Sequence, residues 1–136
     1  MKFWAVGYLA TGVAMLIVDA VWLTVMGKAL YRPILGDILL DQFRLAPAAV
    51  FYFLYVLAIV VFAISPAVAT GKWTTALMYG AFLGLVCYGT YDLTNHATLK
   101  AWTTTLTVID MAWGAALTAF SASIGFIVAR AVAGNP

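Results

Sequence analysis

Three aspartates stand in stretches that are otherwise apolar. Asp19 and Asp110 each open the same short phrase, an acid followed three residues later by a tryptophan: Asp19-Ala20-Val21-Trp22 and Asp110-Met111-Ala112-Trp113. Asp92 opens a third polar group, Asp92-Leu93-Thr94-Asn95-His96. A charged side chain at the centre of a membrane helix costs about 2.5–3.5 kcal/mol on insertion scales, so such a group faces a bundle interior and has a role there. No Lys or Arg lies within the same runs to offset these acids. Desolvation and like-charge repulsion then predict that at least one carries a proton at rest. Carboxylates that exchange protons beside aromatic rings suit the binding of cations. Asp92 and His96, four residues apart on one helix face, suit the sharing of a proton or a ligand. The plainer alternative is polar glue, with Asp19 accepting from the indole of Trp113 and Asp110 from that of Trp22.

Composition narrows the function classes. The chain has 136 residues, 65% hydrophobic and 9% charged, where soluble domains carry about 25% charged residues. Its net charge of +2 comes from scattered residues, with no basic stripe that would suit nucleic acid. The single Cys87 excludes an intramolecular disulfide and a CxxC redox pair, and reads as a small core thiol. The single His96 excludes bis-His haem ligation and a multi-His di-iron site within one chain. No spacing specifies a metal site and no cofactor motif is present, so none is expected. The N-terminal run is longer than the apolar segment of a signal peptide and holds Asp19, so a retained first span is expected.

The elements that must position these groups follow from the apolar runs. Four runs, at about 3–26, 45–68, 73–95 and 103–129, are each long enough to cross a bilayer as a helix. They are continuous rather than alternating, which argues against strands. The expected fold is an all-α membrane protein, a single integral-membrane domain over residues 1–136. A short amphipathic interfacial helix is expected over about 31–44, between the first and second spans. Pro33 suits its start. Tyr31, Ile34, Leu35, Ile38, Leu39 and Phe43 share one face, and Asp37, Asp41 and Arg44 share another; a surface loop is the alternative. Lys2, Lys72 and Arg130 fall on one side of the membrane and Lys28, Arg32, Arg44 and Lys100 on the other, too even a division to set orientation.

Chain direction brings the polar groups to one half of the membrane. Asp19 lies near the end of the first span, Asp92 near the end of the third and Asp110 near the start of the fourth. Helical spacing puts Tyr8, Gly12, Met15, Asp19, Trp22 and Met26 on one stripe. Gly80, Gly84, Tyr88, Asp92, Asn95 and His96 form a second, and Thr103, Thr107, Asp110, Gly114, Thr118, Ser121 and Gly125 a third. The second span has no charge, but Tyr52 and Tyr55 lie level with Asp19 and Asp110. The expected site is a pocket of Asp19, Asp92 and Asp110 lined by Trp22, Tyr55, Tyr88, Tyr91 and Trp113, with Asn95 and His96 tuning Asp92. Some of these rings serve equally well as interfacial anchors. Gly80-x-x-x-Gly84 marks close helix packing, either within the chain or as a homodimer seam. Two copies of Asp-x-x-Trp on antiparallel spans suggest a pseudo-two-fold axis in the membrane plane, a habit of transporters.

The stretch Tyr91-Asp92-Leu93-Thr94-Asn95-His96-Ala97-Thr98-Leu99-Lys100-Ala101-Trp102, with Asp110-Met111-Ala112-Trp113-Gly114, Asp19-Ala20-Val21-Trp22-Leu23 and Gly36-Asp37, resembles domain-of-unknown-function family 2177, a family of small bacterial membrane proteins. The resemblance covers almost the whole chain. It implies a four-span, multi-pass protein of the bacterial inner membrane and brings no activity or site residue with it. The chain also has the size of small multidrug resistance exporters, a likeness of architecture only.

Three functions fit. The first is proton-linked transport or binding of a small amphipathic or cationic molecule, in contact with membrane lipid. A homodimer is then expected, because four short helices enclose little volume. The second is a membrane enzyme acting on a lipid or isoprenoid, with Asp92 and His96 as an acid/base pair. The third is a structural or accessory membrane protein.

Overall fold

The computed structural model describes residues 1–136 and is helical throughout, with no strand. Four long helices account for most of it: α1 (Lys2–Ile38), α2 (Leu45–Thr70), α3 (Trp73–Thr98) and α4 (Thr104–Ala133). Of these, α1, α2 and α4 are long and apolar enough to cross a membrane. The remaining helix, α3, has 26 residues but is the least apolar of the four, with Thr90, Thr94, Asn95 and His96 in its last turns.

The expected amphipathic helix at 31–44 is replaced by a different arrangement. Helix α1 continues through a wide π-type turn at Gly27–Tyr31 into one more α-helical turn, Arg32–Leu35, and a tight turn ending at Ile38. Residues 39–44 are not helical. A second π-type turn, Val60–Ile64, interrupts α2. Both wide turns end two residues before a proline, Pro33 and Pro66. Proline lacks the N–H that would bond the carbonyl four residues back, and its ring presses on that carbonyl. Widening the preceding turn relieves both problems without ending the helix.

Helix α4 is the hub, packed along one face by α1 and along another by α3. The contact with α1 uses an unbroken row at intervals of four: Phe3, Gly7, Thr11, Met15 and Asp19 are all buried. A Cβ at Gly125 would overlap the hydroxyl of Thr11, so glycine is what lets α1 and α4 meet. The expected stripe on α1 holds at Met15 and Asp19 but not at Tyr8 and Gly12. Those two turn toward α2, where the Tyr8 hydroxyl donates to the Phe53 carbonyl at 3.0 Å. An i+4 row drifts around a helix, so a stripe drawn with mixed spacings leaves the buried face after two turns.

Gly80 and Gly84 both press against α4. A Cβ at Gly84 would overlap the Gly114 carbonyl, and one at Gly114 would overlap the Tyr88 ring. The Gly80-x-x-x-Gly84 seam is therefore used within the chain. Helix α2 joins this packing through its second half, where Ile59, Ala63, Ile64 and Ala67 are fully buried. Its first half, from Leu45 to Leu54, contains no buried residue. Between that half and α1 lies an apolar groove of about 730 Å³. At the opposite end of the bundle, Arg130 donates to the Gly71 carbonyl at 2.6 Å and ties α4 to the α2–α3 turn, where Gly71 takes a φ of 68°.

Candidate functional site

The open end of the bundle holds a cavity of about 450 Å³ lined by twelve residues, Leu39 from the segment after α1 and the rest from the four helices. Asp19 and Asp110 are its only charged lining groups, and Trp22, Tyr31, Phe51, Tyr88, Tyr91 and Trp113 make up half of the lining. Leu35 and Leu39 close one side. Those two come from the segment expected to lie flat on the membrane, which instead packs on Trp102, just before α4, and on Leu106 in its first turn.

Asp19, buried on α1, has a donor for each oxygen. The Trp113 indole donates to one at 3.1 Å, and the Tyr52 hydroxyl donates to the other. Asp110, buried on α4, accepts from the Tyr31 hydroxyl. The Tyr31 oxygen in turn accepts from the Trp22 indole at 3.0 Å. Trp22 and Trp113 lie flat on each other, their ring centroids 4.1 Å apart and their planes 5° from parallel. The repeated phrases thus meet across their tryptophans, and each indole serves the other copy's acid, one directly and one through Tyr31.

The wide turn in α1 is what makes the second link. On a straight helix, residues nine apart such as Trp22 and Tyr31 stand on opposite faces and about 13.5 Å apart along the axis. The turn at Gly27–Tyr31 and Pro33 redirect the chain so that Tyr31 reaches back to Trp22 and Asp110.

Asp92 is fully buried, and no donor reaches either of its oxygens. Its carboxyl neighbours that of Asp110. Helical side chains lean toward the N-terminus of their own helix, so on the antiparallel pair α3 and α4 these two acids lean toward each other. The small residues Gly84 and Gly114 bring the helices close enough for that meeting.

Other expected site residues lie elsewhere. His96 is exposed, and its ring faces the Thr104 hydroxyl at 3.4 Å rather than Asp92, so the acid/base pair drawn from their spacing is not formed. Asn95 is half-buried and its carbonyl caps the end of α3 by accepting from the Leu99 N–H at 2.8 Å. Tyr55 is buried in the core beneath the cavity, its hydroxyl 2.7 Å from that of Thr118. Tyr91 lines the cavity rim with its ring edge-on to Trp102 at 5.3 Å. Tyr31 and Tyr52 are the two donors that periodicity did not assign to the site. Tyr52 is recognisable only by its level in the membrane, and Tyr31 only by its place just before Pro33.

Several apolar helices, with acids buried between them, define a multi-pass membrane protein. Residues 4–127 match the family described as Predicted membrane protein (DUF2177), and the chain belongs to that family. Comparison with curated proteins and with solved structures gives no match.

Proposed function

We propose that this protein crosses the membrane four times, with α3 as the third span, and binds a small amphipathic cation in the cavity between Asp19 and Asp110 in exchange for a proton. One observation carries this reading: two acids are the only charged groups in a cavity whose wall is otherwise aromatic and aliphatic. Such a wall favours a cation through the negative faces of its rings, and more strongly where water is excluded. Its apolar remainder accommodates a hydrophobic substituent on the same molecule. Helix α3 is long enough to span, and its most polar turns lie next to Asp110 and the start of α4 rather than in the middle of the helix. Transport would use two copies of the chain, because one encloses little volume. Residence in the bacterial inner membrane and contact with its lipid belong to the same proposal.

Tetraphenylphosphonium, an aromatic cation without hydrogen-bond donors, is a direct probe. Its affinity for the protein in dodecyl maltoside is measured by equilibrium dialysis. The Asp110→Asn variant, which removes one charge from the wall and keeps the shape, is expected to bind about tenfold more weakly, equivalent to about 1.4 kcal/mol. Equal affinity in the two proteins, with both monodisperse, would overturn the reading.

A further inference from the structure

Asp92 stands out among the buried polar groups at this end of the molecule. It is fully enclosed, neither oxygen has a donor, and the polar group beside it is the carboxyl of Asp110. Two ionised carboxylates have no hydrogen to share and repel each other, most strongly where water is absent. Two carboxyls with a single proton form a charge-assisted O–H···O bond. The groups around the pair decide which oxygen carries it. Asp110 already accepts from Tyr31 and lines the cavity, whereas Asp92 has no donor from any helix packed against it. Tyr31 from α1 and Tyr91 on the same helix as Asp92 also lie near it, and His96, one turn further along that helix, faces Thr104 instead. No Lys, Arg or His lines the cavity.

We infer that Asp92 holds a proton and donates it to Asp110, and that a cation entering the cavity against Asp110 displaces that proton. The inference rests on the cation reading above and adds which acid gives up the proton. The exchange balances: one cation arrives beside the pair, the Asp92 O–H bond breaks, and one proton leaves to solvent, so the charge of the pair and its partner is unchanged. Asp19 takes no part in the exchange, because both its oxygens are already served by Tyr52 and Trp113. The three acids thereby divide into an anchored one, a proton holder and a shared acceptor between proton and cation.

Infrared spectroscopy in dodecyl maltoside, which has no carbonyl of its own, reads the proton without any ligand. The ligand-free protein is expected to show the carbonyl band of a protonated carboxyl. Asp92→Asn, whose amide still donates to Asp110, should abolish it. Asp110→Asn, which changes the acceptor, should shift it, and this second variant decides the matter if the first does not fold. Asp37→Asn, in the exposed turn that closes α1, should leave it unchanged. A missing band in the native protein, or one that survives Asp92→Asn, would overturn the inference. Addition of tetraphenylphosphonium should then bleach the band and release one proton per cation bound in the native protein, and release none in Asp92→Asn. Cation binding that leaves band and proton count untouched would overturn the exchange while leaving the cation reading standing. A band assigned to Asp92 in a protein that binds no cation would overturn the cation reading and the exchange, and would still locate the proton.

Discussion

The two Asp-x-x-Trp phrases have the same three-residue spacing and very different surroundings. Asp19 is closed on both oxygens by an indole N–H and a phenol. Asp110 has one phenol, supported from behind by the other indole, and a second carboxyl at its side. What separates them is the third group that each helix pair brings in. The start of α2 contributes Tyr52 to Asp19. The redirected end of α1 contributes Tyr31 to Asp110, and α3 adds Asp92. An intramembrane acid with a full set of donors acts as a structural anchor. One with a second acid in place of a donor has a position that a shared proton can fill, which is the basis of the exchange proposed above. The motif alone carries no role; its partners supply one.

The most severe test of this contrast lies in the seams that create it. Gly114→Ala forces a methyl into the Tyr88 ring beside the Asp92–Asp110 pair, and Gly125→Ala forces one into Thr11 on the face that carries Asp19. Overpacking of this kind costs about 1–3 kcal/mol. Both variants should lower the unfolding midpoint in detergent, and Gly114→Ala should also perturb the infrared band of the acid pair, which Gly125→Ala should not.

Asp19→Asn is expected to follow. Its amide would point a donor at one of two donors, Tyr52 or Trp113, leaving a buried polar group unpaired at about 1–3 kcal/mol. Asp110→Asn retains an acceptor for Tyr31 and should lose clearly less stability, although it loses cation affinity. Equal losses for the two variants in chemical unfolding would erase the distinction between anchor and exchange site.

The indoles give a smaller and sharper comparison. Trp113→Phe and Trp22→Phe both keep an aromatic ring in the stack and remove one N–H. The first takes a donor directly from a carboxylate, the second from a neutral phenol. Interhelical hydrogen bonds in membranes are worth on average about 0.6 kcal/mol and at most about 1.7, with the charged acceptor at the upper end. Trp113→Phe should therefore destabilise more. The double variant measures the coupling through the stacked pair, and strict additivity would show that the two phrases do not act together.

His96→Ala marks the lower limit. The side chain is exposed and touches neither acid, so stability should change by no more than about 0.5 kcal/mol and tetraphenylphosphonium affinity should be unaltered. A large loss of affinity would restore His96 as the partner of Asp92.

Much of this architecture is legible in the chain itself. Apolar runs of sufficient length dictate helices, since backbone groups in hydrocarbon must be satisfied within their own segment. The helical row of Thr107, Asp110, Gly114, Thr118, Ser121 and Gly125 is buried as its spacing predicts, because α4 is packed on two sides and tolerates a broad interior face, while Thr103, the first residue of the expected row, is exposed at the helix cap. The glycines at 80, 84 and 114 mark close approach wherever they are found. Membership of the family follows from the same stretches.

Other features were decided by tertiary structure. Whether Tyr8 or Gly7 faces α4 depends on a rotation of a few tens of degrees, and hydropathy is blind to it when every face of a helix is apolar. Residues 31–44 have the alternation of an interfacial helix, yet a proline two residues beyond a wide turn folds their start back over the cavity and delivers Tyr31. Asp92 and His96 have the spacing of a pair, but the helix that places Asp92 against α4 leaves His96 outside. Local spacing determines which residues share a helix face. Only the packing of helices, set by small residues and turn geometry, determines which acid meets a donor and which meets another acid.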